Sequence, residues 1–180
     1  IIFNGTTLQS WWVVNELPTD VNAQLYKHRV GLGAWISMHL ALTSKLMQAV
    51  KMSGIDTYVV NSSFPDVTNV SLDKVGLAPT IGIGNCDLII PYIQKTAGEL
   101  LDIPMAAIRV EMIGHHYHCY YWARKGIGAE APHYLKIYNG HEDITEKVGD
   151  IKDFVAELPK HAMRPSGRHG QYLVAASALK

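Results

Sequence analysis

The sequence predicts an α/β fold, with a parallel sheet in the first half and a mixed α+β region after it. Three observations carry this expectation. The run "AWISMHLALTSKLMQAVKMSG" sets Ile36, Leu40, Thr43, Met47 and Val50 along one helical face, and Gly54 is placed to end it. Short apolar runs, "IIF" before it and "TYVV" (57–60) after it, make a strand–helix–strand unit, and such a crossover implies parallel pairing. A further helical stretch, "VTNVSLDKVG", then leads into a third run, "PTIGIG" (79–84).

The remaining elements follow in chain order. "NGTT" after the first strand reads as a polar turn through Asn4 and Gly5, and residues 10–33 read as irregular, punctuated by Pro18, Asp20, Gly31 and Gly33. A helix is expected from about Leu88 to Leu101, with Asp87 suited to its N-cap and Pro91 tolerable only in its first turn. "AIRVEMIG" and "HYHCYYWAR" read as consecutive strands around Gly114, and "YLKIY" (134–138) as another. A helix over 143–158 buries Ile151, Phe154, Val155 and Leu158 and is stopped by Pro159, and a terminal helix runs from Gln171.

Composition narrows the function classes. The chain has 180 residues, 48% hydrophobic and 18% charged, which is globular rather than disordered. Lys+Arg and Asp+Glu balance at 16 each, so nucleic-acid binding lacks electrostatic support. Two cysteines make no disulfide framework, so a cytoplasmic setting is the default. No apolar run approaches the roughly 18–20 residues that span a bilayer. The chain starts in a strand-like run without Met and stops within a helix-like pattern, which suggests a segment of a longer polypeptide.

Residues able to carry chemistry cluster in a few places. "GHHYHC" holds His115, His116, His118 and Cys119. On a strand, His116 and His118 would share one face, and His115 and Cys119 the other, so a four-ligand tetrahedral metal site does not assemble from this stretch alone. The other readings are a half-exposed histidine-rich strand, or one histidine acting as general acid/base near neutral pH. "NSSFPD" (61–66) leaves the carboxyl end of a strand, where parallel sheets take ligands, although the same residues also favour turns. "GIGNCD" offers Asn85, Cys86 and Asp87; "RPSGRHG" places Arg164, Arg168 and His169 ahead of a helix, either as a solvated basic loop or as an anion-favouring one.

Taken in order, "YVVNSSFPDVTNVSLDKVGLAPTIGIGN", the helix after it, "LDIP", the strand to Ile113 and "MIGHH" resemble the later part of the lactate/malate dehydrogenase superfamily, which also includes the family 4 glycoside hydrolases. The resemblance implies a partial Rossmann-type sheet over 1–84, the remainder of a dinucleotide-binding region, and an α+β substrate and catalytic region over 85–180. It implies NAD or NADP as cofactor, with Asn4, Gly5, Thr6 and Asn61 along it. It places His116 on the catalytic histidine, with Asp87 as its orienting carboxylate and Ser62, Asn85 and Arg168 toward the substrate. The dehydrogenase arginine that binds a substrate carboxylate falls on Pro91, and no G-x-G-x-x-G phosphate loop occurs in the chain.

The expected activity is hydride transfer between nicotinamide and a hydroxy or keto compound, with no resident metal. One alternative is a family-4-type glycosidase using NAD and a divalent metal; another is a non-catalytic segment or subunit of a larger assembly. The expected partners are a small-molecule substrate and either further copies of the chain or a second chain covering the missing strands, with neither nucleic acid nor membrane.

Overall fold

The computed structural model describes residues 1–27, 33, 35–84, 86–161 and 168–178. The fold is mixed α/β with one parallel and one antiparallel three-stranded sheet. Contacts divide the chain into two compact units, Ile1–Gly84 and Asn85–Lys180.

In the first unit, β1 (Ile2–Asn4) is followed by a 3₁₀ turn (Trp11–Glu16), α1 (Thr19–Lys27), α2 (Ile36–Ser53), β2 (Val59–Asn61), α3 (Pro65–Asp73) and β3 (Ile81–Gly82). The strands are parallel in the order β1-β2-β3, with Ile2 opposite Val59, Asn4 opposite Asn61, and Asn61 opposite Gly82. The strand–helix–strand reading of the first half describes this sheet. Helix α2 ends at Gly54 with φ 67°, a conformation that costs glycine nothing. Met47, Val59 and Leu72 form the buried centre, packed by Ile2, Leu40, Leu46, Val50 and Leu77. The opposite face carries the row Phe3–Val60–Ile81, and there Phe3 and Ile81 are exposed.

Within the stretch 10–33 that the sequence reads as irregular, Trp11–Glu16 and Thr19–Lys27 are helical. Pro18 sits just ahead of α1, and its carbonyl accepts the Asn22 N–H at 2.9 Å, while the Asn22 amide donates to the Val14 carbonyl at 2.7 Å. Pro18 and Asp20 read as breakers, but at a helix start a missing N–H costs nothing and an acid favours the positive end of the dipole. Gly31 lies outside the described residues.

The second unit runs through a 3₁₀ turn (Cys86–Leu88), α4 (Ile90–Leu101), β4 (Ile108–Ile113), α5 (His116–Lys125), β5 (Tyr134–Asn139), β6 (Glu142–Asp143), α6 (Ile151–His161) and α7 (Arg168–Ala178). Strands β4, β5 and β6 form an antiparallel meander with Ile108 opposite Asn139 and Ile113 opposite Tyr134. The core gathers Ile89, Ile93, Ile108, Trp122, Ile137 and Phe154 with their neighbours.

Four local expectations fail here. The "HYHCYYWAR" segment is the helix α5, not a strand. Asp87 does not cap α4, because it lies in the preceding 3₁₀ turn and Ile89 holds the cap position without a side-chain bond. The helix expected from 143 begins at Ile151, because Asp143 is drawn into β6 and accepts the Thr145 N–H at 2.9 Å, and Gly149 at φ 83° breaks the chain. That helix also runs through Pro159 to His161. A proline there removes only one N–H in the last turns, and Phe154, Val155 and Leu158 anchor the face that leads up to it.

Candidate functional site

In the first unit, the carboxyl ends of β1 and β2 gather polar side chains into one network. Asn4 and Asn61, opposite one another in register, are 2% and 0% exposed. The Asn4 amide donates to Asn61 Oδ1 at 2.8 Å and Thr43 Oγ1 at 3.0 Å, while its own Oδ1 accepts from Thr6 Oγ1 at 2.7 Å. The Asn61 amide donates to Thr68 Oγ1 at 2.9 Å and Asn69 Oδ1 at 2.7 Å, and Asn61 Oδ1 also accepts the Ser63 N–H at 3.0 Å. Both amides are therefore satisfied inside the protein. Burying two carboxamides is tolerable only with such pairing.

Gly5, Thr6 and Ser62 form the accessible rim of this network. Gly5 and Thr6 are exposed, and Ser62 is half-buried with its hydroxyl donating to the Asn4 carbonyl at 3.2 Å. A Cβ at Gly5 would lie 3.4 Å from Ser62 Oγ, so the two loops approach closely there. The structure thus brings Asn4, Gly5, Thr6, Asn61 and Ser62 together at one sheet edge. It assigns the two asparagines to holding the edge rather than to presenting free amides.

Sequence reasoning missed His39, the residue on which Ser63 and Phe64 of the "NSSFPD" stretch converge. His39 of α2 and Ser63 are buried, with His39 Nδ1 2.8 Å from Ser63 Oγ. Ser63 Oγ also donates to the Thr6 carbonyl at 2.6 Å. A hydroxyl has one proton, so His39 Nδ1–H must be the donor to Ser63, which leaves Nε2 as a bare lone pair with no partner among the described residues. Burial holds the His39 ring below the usual histidine range. Phe64 stacks on that ring at 4.1 Å and adopts φ 48°, a left-handed conformation unusual for an aromatic residue and more so before Pro65. The available signal was His39–Thr43–Met47, spaced i, i+4, i+8 on the buried side of α2.

In the second unit, Gly114 leads into α5. His115 precedes its first turn, where Nδ1 accepts the Tyr117 N–H at 3.1 Å, and His115 N–H donates in return to His118 Nδ1 at 2.9 Å. This reciprocal cap is why the segment turns helical. The buried face is then His118, Cys119, Trp122 and Ala123, and Arg124 and Lys125 complement the carboxyl end before Gly126 at φ 63°. The strand reading followed the density of aromatic residues. The spacing 118, 119, 122, 123 carried the helical signal.

The helix re-sorts the histidines. His118 is fully buried, its ring 5.0 Å from Trp122 and 5.6 Å from His133, and its accepting Nδ1 places the proton on Nε2. It is a core histidine. His116, the first residue of α5, is exposed, and the 3₁₀ turn bearing Asp87 packs against this helix. His116 and His118 therefore do not share a face as a strand would make them. Cys119 is buried, and Cys86 is half-buried, its thiol pushed up by burial and then by the Asp87 charge, which makes it a poor nucleophile. Among the described residues, no group of three or more His, Cys, Asp and Glu is arranged to hold a metal ion.

Asn85 lies outside the described residues, and of Arg168 only its place as the first residue of α7 is described. Among the described residues, no helix is long and apolar enough to cross a membrane. Comparison with protein-family models, curated proteins and solved structures gives no match.

Proposed function

We propose that the chain is part of an NAD(P)-dependent oxidoreductase that moves a hydride between nicotinamide and a hydroxy or keto compound. The observation that supports this reading is the carboxyl edge of the parallel sheet. There the buried Asn4–Asn61 pair, from two adjacent strand ends, holds Gly5, Thr6 and Ser62 in one polar rim, and such edges are where open parallel sheets take nucleotide-type ligands.

The residues fit a nicotinamide cofactor in a restricted way. Asn4 and Asn61 hold the edge rigid through their mutual amide pair, so contact with the cofactor falls to the Gly5 backbone and to the Thr6 and Ser62 hydroxyls. The chain contains no glycine-rich loop for the pyrophosphate. When bound, the nicotinamide takes up or gives the hydride. His116, exposed at the start of α5, takes the substrate hydroxyl proton in oxidation and returns it in reduction. Asp87, on the neighbouring turn, is assigned to orient that imidazole. Asn85 and Arg168 are assigned to the substrate by the resemblance alone.

The test has two arms. Titration of NAD or NADP, followed by tryptophan fluorescence, is expected to show saturable binding that weakens when Gly5 is replaced by Val. Reduced-nicotinamide absorbance with a panel of hydroxy compounds is expected to give turnover that falls by about 10²-fold or more in His116→Ala. The fold should survive, because substitution of an exposed residue usually changes stability by within about 0.5 kcal/mol. Absence of nucleotide binding, or unchanged turnover in His116→Ala, overturns the proposal.

A further inference from the structure

The loop that leaves β2 is held down by an arrangement that depends on one uncharged ring. Ser63 is clamped from three sides: its N–H donates to Asn61 Oδ1 at 3.0 Å, its hydroxyl donates to the Thr6 carbonyl at 2.6 Å, and that hydroxyl accepts from His39 Nδ1 at 2.8 Å. The next residue, Phe64, is left-handed at φ 48° and lies flat on the His39 ring, 4.1 Å between centroids and 10° between planes. A non-glycine residue in this conformation persists only where its surroundings over-determine it. Here the surroundings are the His39 ring on one side and, on the other, the first turn of α3, whose Thr68 N–H and hydroxyl both donate to the Phe64 carbonyl at 2.9 Å.

We propose that His39, Ser63 and Phe64 form a proton-sensitive latch, in which protonation of the His39 ring releases loop 61–64 from the carboxyl end of the parallel sheet. Protonation puts the new proton on Nε2, which is buried and faces no acceptor among the described residues. The resulting charge can be solvated only if the loop lifts, and lifting also relieves the left-handed Phe64. The charged groups on the helices packed about the ring are Lys45 and Lys51 of α2, Asp66 and Asp73 of α3, and Lys74 just after it, all exposed. None contributes to lowering the ring's affinity for a proton, for which burial is the cause. Strands β1 and β2, the segment Gly5–Ser10 and the loop itself carry no titratable side chain. In the opened loop the ring titrates in its ordinary range, so acid draws the equilibrium toward the open form. The loop lies at the edge assigned above to the cofactor, so opening would also alter ligand access. That consequence rests on the cofactor reading; the latch does not.

Amide exchange without nucleotide, corrected for its intrinsic pH dependence, tests the latch. Between about pH 7.5 and pH 5.5, protection of the Ser62 and Ser63 amides is expected to fall by up to about tenfold per pH unit below the ordinary histidine value, while the α2 amides of Met47 and Val50 keep theirs. His39→Gln, which cannot charge, is expected to abolish that pH dependence. Protection that does not change with pH, a loss shared equally by α2, or a dependence that persists in His39→Gln overturns the proposal. Should His39→Gln fail to fold, the proton NMR titration of the wild-type His39 ring decides. A depressed midpoint coincident with loop opening supports the latch, and an ordinary one overturns it.

Discussion

Asn61 shows how a single residue at a strand end links fold and candidate site. Its carboxamide accepts from Asn4 and Ser63 and donates to Thr68 and Asn69, with no exposure. Replacing it with Ala takes the acceptor from one Asn4 amide proton, the other staying on Thr43, and from the Ser63 N–H, each costing about 1–3 kcal/mol when buried. Asn61→Ala is therefore expected to lower the denaturant midpoint substantially, and urea unfolding with an unchanged slope checks it. A midpoint within error of wild type would mean that water replaces the amide at this edge. His39 adds a pH term of definite sign. Its folded-state affinity for a proton is lowered, so the unfolded chain binds the proton first and stability falls as pH drops below the ordinary histidine range.

The β5–β6 turn holds a carboxylate in a charged network. Lys136 Nζ lies 2.6 Å from Asp143 Oδ2, and the Thr145 N–H and hydroxyl both donate to Asp143 Oδ1. First the Lys136 bond and then those from Thr145 hold the Asp143 carboxyl down at about 2. A depressed carboxylate stabilises the fold above its ordinary value and loses that contribution as pH falls toward the folded value, so the window is about pH 4 to pH 2. Lys136→Met is expected to move the Asp143 midpoint back toward 3.8, read by carboxyl-carbon NMR titration. An unmoved midpoint would assign the shift to Thr145 alone. The exposed pairs Lys160–Glu157 and Lys147–Glu142 should add little, as solvent screens them.

The two units differ in how they are held. The second has an extensive apolar core around Trp122, Phe154 and Ile137, whereas the first centres on Met47, Val59 and Leu72 with polar residues filling the rest. Apolar burial supplies most of folding stability, so the first unit should open at lower free energy. Native-state hydrogen exchange in increasing denaturant is expected to show β2 and α2 amides merging into a lower-energy opening than those of α4, β5 and α6. A single common opening would show instead that the units fold as one. The row Phe3–Val60–Ile81 leaves part of the parallel sheet's apolar surface exposed, whereas parallel sheets are ordinarily covered on both faces.

Periodicity alone was enough for α2, the buried side of α6, the three parallel strands and the division of character between the halves, because each rests on near-neighbour spacing of apolar residues. It also brought Asn4, Gly5, Thr6, Asn61 and Ser62 to consecutive strand ends. Tertiary contacts decided what those residues do. Asn4 and Asn61 read as ligand-facing amides until the register set them opposite each other and turned them inward. The histidines of "GHHYHC" read as a strand until one backbone-to-ring exchange between His115 and His118 started a helix, burying His118 and leaving His116 exposed. His39 gave no sign beyond its place on a helical face, because its partner Ser63 lies far along the chain. The physical reason is the same in each case. Apolar patterning acts through local repeats that a sequence displays, while a buried polar group is specified by the particular partner that satisfies it, and that partner comes from another segment or from a cap that spacing does not announce.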